Sequence, residues 1–399
     1  MNINPQILIG IVIGAVGMGV LMGMVAYGVL WERKSASYIQ DRIGPNRVGP
    51  FGLLQPIADG LKLLLKEDYA RPGIDRVLFT LAPAFVFIPA LIGWAIIPWG
   101  GKWAMPEMTL PLIGTIGPAT VTVAVADINI GIIYLLAVAG LAVYGTVLAG
   151  WASDNKFAFL GGVRATAQMI SYEIPMGLCL LALLLLAGSV RPDAIVESQT
   201  RGWLGWFIFQ QPLAAVIFYT CMLAEANRTP FDLVEAEQEL VSGFNVEYSS
   251  MRFALFFLAE YAHLIVGAAF FSLLFLGGWQ ALPIPGLMTG EAGLGLVLFR
   301  IIVFLGKVVV LVTLAMVIRW TLPRFRFDQL MRLAWQSLIP LSLVILVITA
   351  ILVRIDHREW IWLANIAVVV GVVLVQPMLP RTKVNKRLPL KGSRFLPAD

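Results

Sequence analysis

Apolar runs close to 20 residues long recur along this chain, and they constrain its fold more than any other feature. A helix rises about 1.5 Å per residue, so about 20 apolar residues cross the roughly 30 Å hydrocarbon core of a bilayer. The mean hydropathy is +0.84, and only 13% of the residues are charged. The runs lack the alternating polarity of an outer-membrane barrel strand. The sequence therefore predicts an all-α polytopic membrane protein.

Nine membrane spans are predicted, and together they form a single integral membrane domain over residues 1–399. The first is interpreted as a retained span rather than a signal peptide, because no Lys or Arg precedes Arg33. Amphipathic helices are expected in the loops that face the cytoplasm, most clearly at residues 54–66. The predicted spans are 5–31, 78–99, 130–150, 170–187, 210–225, 253–276, 296–319, 338–353 and 360–379.

The distribution of basic residues predicts the orientation of these spans. With the N-terminus outside, the cytoplasmic segments hold 22 Lys and Arg residues and the outer segments hold 5. Cytoplasmic loops carry an excess of Lys and Arg in membrane proteins. We therefore expect an outside N-terminus and a cytoplasmic C-terminus, with cytoplasmic loops at 32–77, 151–169, 226–252 and 320–337. The outer segment 100–129 is interpreted as a plain connector.

An acidic stretch from residue 225 to residue 260 holds seven of the 24 carboxylates. Glu225 and Glu260 lie at or inside spans, where a solvated loop does not account for them, and such carboxylates indicate proton handling. Asp232 and Glu235 have the spacing of a helix N-cap and its N3 partner, so capping is an alternative for both. Glu235 and Glu239 are four residues apart, on one helix face.

Two further charges are predicted inside the membrane. Glu173 begins the fourth span and is followed by Pro175, and Lys307 lies in the middle of the seventh. An ionisable group at this depth pairs with another group or meets water. We therefore expect Lys307 to contact a carboxylate or a water-filled path.

The first and last cytoplasmic loops are rich in polar residues that allow two interpretations. Basic residues next to a membrane can bind lipid phosphates or anchor the loop on the cytoplasmic side. Alternatively, the mixture of cations, carboxylates and amides forms a packed polar wall or a docking surface for a partner. The residues concerned are Arg33, Gln40, Arg42, Arg47, Asp59, Lys62, Arg324 and Arg326.

The sequence gives no sign of a redox centre of its own. Cys179 and Cys221 both lie in apolar segments, which provides neither a disulfide framework nor the thiolates of an iron–sulfur cluster. His263 lies in a span and His357 in a loop, so they do not form the facing pair that a haem needs. We find no nucleotide-binding fingerprint, phosphate loop or metal-ligand cluster, and expect no nucleic-acid partner.

Five motifs together resemble one family, the membrane subunit that adjoins the quinone-reducing arm of respiratory complex I (the H subunit in bacteria, subunit 1 in mitochondria). The resemblance covers residues from about 25 to 340 in the same order. The motifs are Glu32-Arg-Lys with Gln40-Asp-Arg-Ile-Gly-Pro-Asn-Arg-Val-Gly, Ser171-Tyr-Glu, Glu225-Ala-Asn-Arg-Thr-Pro-Phe-Asp, Phe244-Asn-Val-Glu-Tyr and Leu322-Pro-Arg-Phe-Arg-Phe-Asp-Gln-Leu.

This resemblance implies a subunit of a proton-pumping NADH:quinone oxidoreductase in the bacterial cytoplasmic membrane. It implies an eight-helix core, which the ninth predicted span exceeds, and a quinone tunnel sealed by peripheral-arm subunits, one of which carries the terminal iron–sulfur cluster. Quinone is then the substrate, FMN and iron–sulfur clusters belong to partners, and small and antiporter-like membrane subunits adjoin the chain. The implied proton-coupling residues are Glu173, Glu225, Glu235, Glu239, Glu247, Glu260 and Lys307. The implied tunnel or arm-interface residues are Arg33, Gln40, Arg42, Arg47, Asp59, Lys62, Arg228, Asp232, Arg324 and Arg326.

Two alternatives remain at this point. A related membrane subunit of an energy-converting hydrogenase, or of a complex with another electron donor, would share the fold. A free-standing proton-coupled transporter would need no partners, and the charged, Gly- and Pro-rich inner loops argue against it.

Overall fold

The computed structural model describes residues 5–110, 114–116, 118–200, 205–233, 241, 243–282 and 292–375, with only the backbone at 108–110, 114–116 and 375. Most of these residues are helical. A π-helical turn spans Leu333–Leu338, and short 3₁₀ turns lie at Pro50–Gly52, Gly243–Asn245 and Arg358–Trp360. The helices are α1 Pro5–Ile39, α2 Gln55–Leu65, α3 Arg76–Ile96, α4 Gly131–Gly140, α5 Ala142–Ala152, α6 Lys156–Ala187, α7 Pro192–Ser198, α8 Phe207–Gln210, α9 Pro212–Glu225, α10 Ser250–Phe275, α11 Leu294–Thr321, α12 Phe327–Arg332, α13 Ile339–Arg354 and α14 Ile361–Val375.

Seven helical stretches in the described part of the chain are long and apolar enough to cross a membrane, which confirms an all-α polytopic membrane protein. They coincide with seven of the predicted spans. The fifth and ninth predicted spans coincide with α9, of 14 residues, and α14, of 15 residues. Both are shorter than the roughly 20 residues that cross a bilayer upright. The count of nine therefore stays a prediction. The seven stretches are Pro5–Ile39, Arg76–Ile96, Gly131–Ala152, Lys156–Ala187, Ser250–Phe275, Leu294–Thr321 and Phe327–Arg354.

Several helices extend beyond the apolar runs that predicted them. Helix α1 continues to Ile39, eight residues past the predicted end of the first span. Helix α6 begins at Lys156, where the side chain of Asn155 accepts a hydrogen bond from the Phe157 amide. A helix leaving the membrane can continue through charged residues, because its backbone hydrogen bonds are internal. Glu32 consequently lies on a helix rather than in a loop.

The segment between α3 and α4 contains two pairs of antiparallel strands. Strand β1, Lys102–Met105, pairs with β4, Ala119–Thr122, and β2, Met108–Leu110, pairs with β3, Gly114–Ile116. The second pair is nested inside the first. The Gln6 side chain bonds the backbone of Thr122 and ties the start of α1 to this hairpin. The prediction that this segment is a plain connector was wrong.

Small residues allow the central helices to approach closely. A Cβ at Gly145 of α5 would lie 2.8 Å from the Val86 nitrogen and 2.9 Å from the Ala82 oxygen of α3. Only a glycine permits this separation, since real Cβ contacts are not so short. Helices α3, α5, α6, α9 and α10 form the packed centre, and their facing side chains are largely buried.

The glycines of the first span are used differently from what their spacing predicts. Spacings of four, Gly10 with Gly14 and Gly19 with Gly23, favour close packing of one helix on another. Gly10 instead contacts the Val125 backbone, 2.6 Å from the position of a Cβ. At Gly19 and Gly23 no described residue lies within 4 Å of that position. Among the described residues, therefore, neither Gly19 nor Gly23 contacts another helix in this way, and helix packing at these two positions stays a prediction.

Candidate functional site

Five side chains form a buried charged group where α1 emerges from the apolar part of the chain. Glu32 Oε2 accepts hydrogen bonds from Arg228 Nη1 at 2.9 Å and from the Tyr261 hydroxyl at 2.6 Å. Glu32 Oε1 accepts one from Arg319 Nη1 at 2.5 Å. We call this group the Glu32 cluster, consisting of Glu32, Arg228, Glu260, Tyr261 and Arg319.

Arg228 connects both carboxylates of the Glu32 cluster. Its Nε lies 2.9 Å from Glu260 Oε1, an ion pair whose angle does not make a hydrogen bond. Its guanidinium carbon lies 4.1 Å from the centre of the Tyr261 ring, a cation–π contact. The side chains of Arg228 and Glu32 are 4% and 7% exposed. Two cations thus balance two anions, and of these four side chains only that of Arg319, at 32% exposed, is substantially open to solvent.

The folded chain brings the members of this cluster from four separate segments. Glu32 lies on the last turns of α1, and Arg228 lies in the turn after α9. Glu260 and Tyr261 lie on α10, and Arg319 lies in the last turn of α11, where the helix dipole favours a cation. Burial lowers the pKa of Arg228, but the carboxylates of Glu260 and Glu32 raise it above its usual range. Arg228 therefore remains a cation.

A pocket of about 350 Å³ opens beside the Glu32 cluster. This volume lies within the roughly 300–1,000 Å³ of small-molecule sites. Guanidinium groups that donate hydrogen bonds share its wall with apolar and aromatic side chains, a combination that suits a flat molecule with carbonyl acceptors. The lining residues are Val29, Glu32, Arg33, Ala36, Arg42, Pro45, Phe257, Tyr261, Arg319 and Trp320.

Four predicted residues of the first loop pair with one another near this pocket. Arg33 Nη1 donates to Asp59 Oδ2 at 2.6 Å and joins the end of α1 to α2. Arg42 Nε donates to Gln40 Oε1 at 2.7 Å. The sequence left open a lipid-facing helix or a packed polar wall, and these pairings favour the wall for Arg33, Gln40, Arg42 and Asp59.

Three other predicted cations face the surface. Lys62 is an exposed residue of α2. Arg47 lines an open pocket of about 680 Å³ formed by residues 42–48 and Gln55. The Arg326 side chain is 79% exposed and lies 3.8 Å from Asp328. These positions agree with either a membrane anchor or a partner surface.

Asp232 pairs with Arg324 of the segment between α11 and α12. Its Oδ2 accepts from Arg324 Nη2 at 3.0 Å, and its Oδ1 has no hydrogen-bond partner among the described residues. Burial raises the pKa of Asp232 above its usual range, although the charge of Arg324 partly offsets this effect. The predicted cap partner Glu235, and also Glu239, lie outside the described residues.

Glu225 and Glu173 lie deeper among the helices than the Glu32 cluster. Glu225 is the last residue of α9 and, together with His263, borders a cavity of about 40 Å³. Glu173 of α6 lies against Gly140, with its Oε1 2.7 Å from the position of a Cβ there. The charges of Glu173 and Glu225 are close enough to interact. The structure thus places two predicted carboxylates near each other.

Glu247 lies apart from these two carboxylates. Its Oε1 accepts a hydrogen bond from Asn155 Nδ2 at 2.8 Å. The other side-chain atom of Asn155, Oδ1, caps the start of α6. Glu247 therefore supports the start of the helix that carries Glu173.

Lys307 meets backbone carbonyls rather than a carboxylate among the described residues. Its Nζ donates to the carbonyl oxygens of Leu276 at 2.5 Å, Gly278 at 2.9 Å and Gln280 at 2.5 Å. It also lies 4.2 Å from the centre of the Trp206 ring. These carbonyls follow the C-terminus of α10, where the helix dipole favours a cation. The predicted carboxylate partner was wrong for the described part of the chain.

Sequence reasoning missed four residues of the site. Glu32, Tyr261 and Arg319 belong to the Glu32 cluster, and His263 borders the cavity beside Glu225. The spacing of Glu260, Tyr261 and His263 within one apolar helix was a usable signal, because polar groups there need partners. Glu32 gave no such signal, since the hydrophobic run ends just before it.

No group of three His, Cys, Asp or Glu residues that could hold a metal ion occurs among the residues that the structure describes. Cys179 and Cys221 are buried free thiols on α6 and α9. The described site is therefore one of ion pairs, aromatic rings and carboxylates.

The sequence matches the NADH dehydrogenase family over residues 12–350. It is 46% identical over 332 residues to an H subunit of NADH-quinone oxidoreductase from Geobacter sulfurreducens, covering 83% of this chain and 91% of the relative. It is 48% identical over 339 residues to the H subunit of NADH-quinone oxidoreductase from Rhodospirillum rubrum, covering 83% of this chain and 89% of the relative. The H subunit of NADH-quinone oxidoreductase from Leptospira biflexa is 44% identical over 337 residues, covering 83% of this chain and 91% of the relative.

Proposed function

Because the chain belongs to the NADH dehydrogenase family, as the H subunits of NADH-quinone oxidoreductases do, we propose that it forms much of the quinone tunnel of a proton-pumping complex and couples quinone reduction to proton translocation. The observation that carries this proposal is the Glu32 cluster, buried beside a pocket of about 350 Å³. Quinone is the substrate. FMN and iron–sulfur clusters in partner subunits supply its electrons.

The residues around the pocket are suited to hold a quinone head group. The guanidinium groups of Arg33, Arg42 and Arg319 supply N–H donors for its two carbonyl oxygens. Val29 and Phe257 supply apolar contact for the ring or tail. Reduction of a quinone to a quinol takes up two electrons and two protons, so protons are consumed next to Glu32.

A change of charge in the pocket changes the electrostatic energy of the buried Glu32 cluster. Two unit charges 4 Å apart interact by about 4 kcal/mol at an effective dielectric constant of about 20. Arg228 is shared by Glu32 and Glu260, so a weaker bond to one carboxylate allows a stronger bond to the other. Arg228 also follows Glu225 by only three residues in the chain. We infer that the response passes in this way from the pocket to Glu225 and Glu173.

The proposed setting is the bacterial cytoplasmic membrane, with the N-terminus outside and the C-terminus in the cytoplasm. In that orientation the Glu32 cluster and the pocket face the cytoplasmic side, where the peripheral arm docks. The exposed cations Lys62 and Arg326 suit that surface. Small and antiporter-like membrane subunits adjoin the helices and receive the response.

The test of this function is Glu225→Gln in the assembled complex. The amide keeps the shape of the side chain but takes up no proton. We therefore expect quinone-coupled proton pumping to fall at least about tenfold, and up to the about 10²- to 10⁴-fold effect of a lost acid–base group. NADH oxidation by an artificial acceptor should stay unchanged, because it bypasses the membrane part. Pumping is measured by dye quenching in inverted vesicles.

The matched control is Glu359→Gln, at an exposed position of the short loop between α13 and α14. It should leave pumping and artificial-acceptor activity unchanged. Unaltered pumping in Glu225→Gln would contradict the proposed role of this carboxylate. Purification with a tag on this chain tests the assembly: partners that carry flavin and iron–sulfur clusters support it, and a nickel–iron subunit would point to a hydrogenase.

A further inference from the structure

The small cavity beside Glu225 is enclosed almost entirely by apolar side chains. Glu225 and His263 are the two polar side chains among its twelve lining residues. Its volume is about 40 Å³, and one water needs roughly 10–15 Å³ by this kind of measure. The cavity therefore has room for about two or three water molecules, with a carboxylate and an imidazole as their side-chain partners.

A hydrogen bond to the backbone determines which nitrogen of His263 can take up a proton. Nε2 lies 2.9 Å from the carbonyl oxygen of Val86 on α3. A carbonyl oxygen only accepts, so Nε2 carries the hydrogen. Nδ1 of the neutral ring is then an acceptor, and it has no hydrogen-bond partner within the described part of the chain. The ring thus presents one basic nitrogen.

A close contact of α9 with α10 places Glu225 and His263 at the same level. A Cβ at Gly267 would lie 2.8 Å from Met222 Cγ, so α10 passes very close to α9 at this point. Glu225 follows Met222 by three residues, and His263 precedes Gly267 by four. In antiparallel helices these steps lead in the same direction by about one turn. The two polar residues consequently face each other across the cavity.

The carboxylates around His263 belong to the proposed coupling path. Glu260 lies three residues earlier on α10, a spacing that places Cβ atoms about 5–6 Å apart on a helix. Glu260 is paired with Arg228 of the Glu32 cluster. Glu173 of α6 is close enough to Glu225 for their charges to interact. Helices α3 and α4 contribute the Val86 carbonyl and apolar side chains at this level. His263 thus lies about one helical turn from Glu260 and lines the same cavity as Glu225.

We propose that His263 is a proton-transfer residue that exchanges one proton with Glu225 through water in this cavity. The O–H bond of the Glu225 carboxyl breaks, and an N–H bond forms at Nδ1, which leaves a carboxylate and an imidazolium. Nε2 keeps its hydrogen bond to Val86 throughout, so the ring does not need to turn. This inference rests on the proposed function and adds a carrier that is not a carboxylate.

The variant His263→Gln tests this proposal in the assembled complex in inverted vesicles. The Gln Nε2 can still donate to the Val86 carbonyl, but the side chain takes up no proton. We expect quinone-coupled proton pumping to fall about tenfold or more, towards the about 10²- to 10⁴-fold effect of a proton-transfer group. Any dependence of pumping on pH that comes from the imidazole should also disappear.

The matched control is His357→Gln, at the other histidine of the chain, which is exposed. It should keep the rate and the pH profile. Artificial-acceptor activity and subunit content should match the unaltered complex in both variants; loss of His263→Gln assembly would identify a structural role and overturn the proposal. An infrared difference spectrum gives a second readout: a carboxylic acid band that disappears in Glu225→Gln should shift in His263→Gln.

The outcomes separate this inference from the proposed function. Reduced pumping in Glu225→Gln with an unchanged rate, pH profile and infrared band in His263→Gln overturns the role of His263 alone. Unchanged pumping in Glu225→Gln overturns the proposed function and, with it, this inference.

Discussion

At the scale of single residues, the Glu32 cluster bears both on the stability of the chain and on its proposed chemistry. A buried ion pair does not by itself make a protein more stable than an apolar core of the same shape, but removing one partner leaves an uncompensated charge. Arg228 has two carboxylates, Glu32 and Glu260, as partners and is almost entirely buried. The cluster is therefore costly to break.

Replacing Arg228 with Gln should destabilise the chain by about 3–5 kcal/mol, the usual effect of breaking a buried ion pair. Glu32 would keep Arg319 and Tyr261, whereas Glu260 would lose the partner that balances its charge. The expected result is loss of assembled complex on native gels. The double variant Arg228→Gln/Glu260→Gln should recover part of it, because the uncompensated carboxylate is then neutral.

A weaker effect is expected at Arg324, which serves as the comparison. Its side chain is 39% exposed, and exposed ion pairs contribute about 0–1 kcal/mol. Burial also raises the pKa of Asp232, so this carboxyl can take up a proton when Arg324 is absent. If the Arg324→Gln variant lost as much assembled complex as Arg228→Gln, the predicted order of their effects on stability would be wrong.

The sequence predicted intramembrane carboxylates well and their partners poorly. Glu225 and Glu260 interrupt apolar runs, and a charge in such a run is conspicuous without any structure. Glu32 was missed because the apolar run stops at Trp31 while the helix continues. The carbonyls around Lys307 were also missed, because every residue has a carbonyl and only the fold determines which of them are unpaired.

At the scale of elements, hydropathy located the helices but not all of their ends. Helices α3, α10 and α11 begin and end within three residues of the predicted spans. Helices α1 and α6 are longer than predicted. A helix ends where its backbone hydrogen bonds and caps end, and this point need not coincide with the edge of the bilayer. The hairpin of β1 to β4 was not predicted, since its strands of three or four residues are too short for a periodic pattern.

Two glycines of the membrane helices offer a test of helix packing. Gly145→Ala places a Cβ 2.8 Å from the Val86 nitrogen, so α5 must move away from α3. Overpacking of this kind costs about 1–3 kcal/mol. In Gly177→Ala the Cβ meets only Leu136 at 3.9 Å, and the better helix propensity contributes about 0.8–1 kcal/mol of stability.

The measurement is the temperature at which each variant chain leaves the detergent-solubilised complex. We expect a lower temperature for Gly145→Ala and an equal or higher one for Gly177→Ala. Equal tolerance of both substitutions would mean that α3 and α5 do not pack as closely as the structure has them.

At the scale of the whole molecule, the polar groups form a series from one end of the helices towards their middle. The pocket and the Glu32 cluster lie at the ends of α1 and α11, the Glu225–His263 cavity lies between α9 and α10, and Glu173 on α6 is close enough to Glu225 for their charges to interact. The series brings together side chains from α1, α6, α9, α10 and α11. A chain that couples a reaction at one surface to the membrane interior needs such a series, and its direction depends on the orientation in the bilayer.

Single cysteines can determine that orientation, because Cys179 and Cys221 are buried and should not react. We expect an impermeant maleimide to label Glu107→Cys and Glu359→Cys in right-side-out vesicles, since both positions are exposed on the predicted outer side. Lys62→Cys and Arg326→Cys should be labelled only in inverted vesicles, and more strongly after the peripheral arm is removed with a chaotrope. Ala398→Cys should follow the cytoplasmic pair if residues 360–379 cross the membrane. Labelling of Lys62→Cys from outside would reverse the series and place the pocket away from the arm.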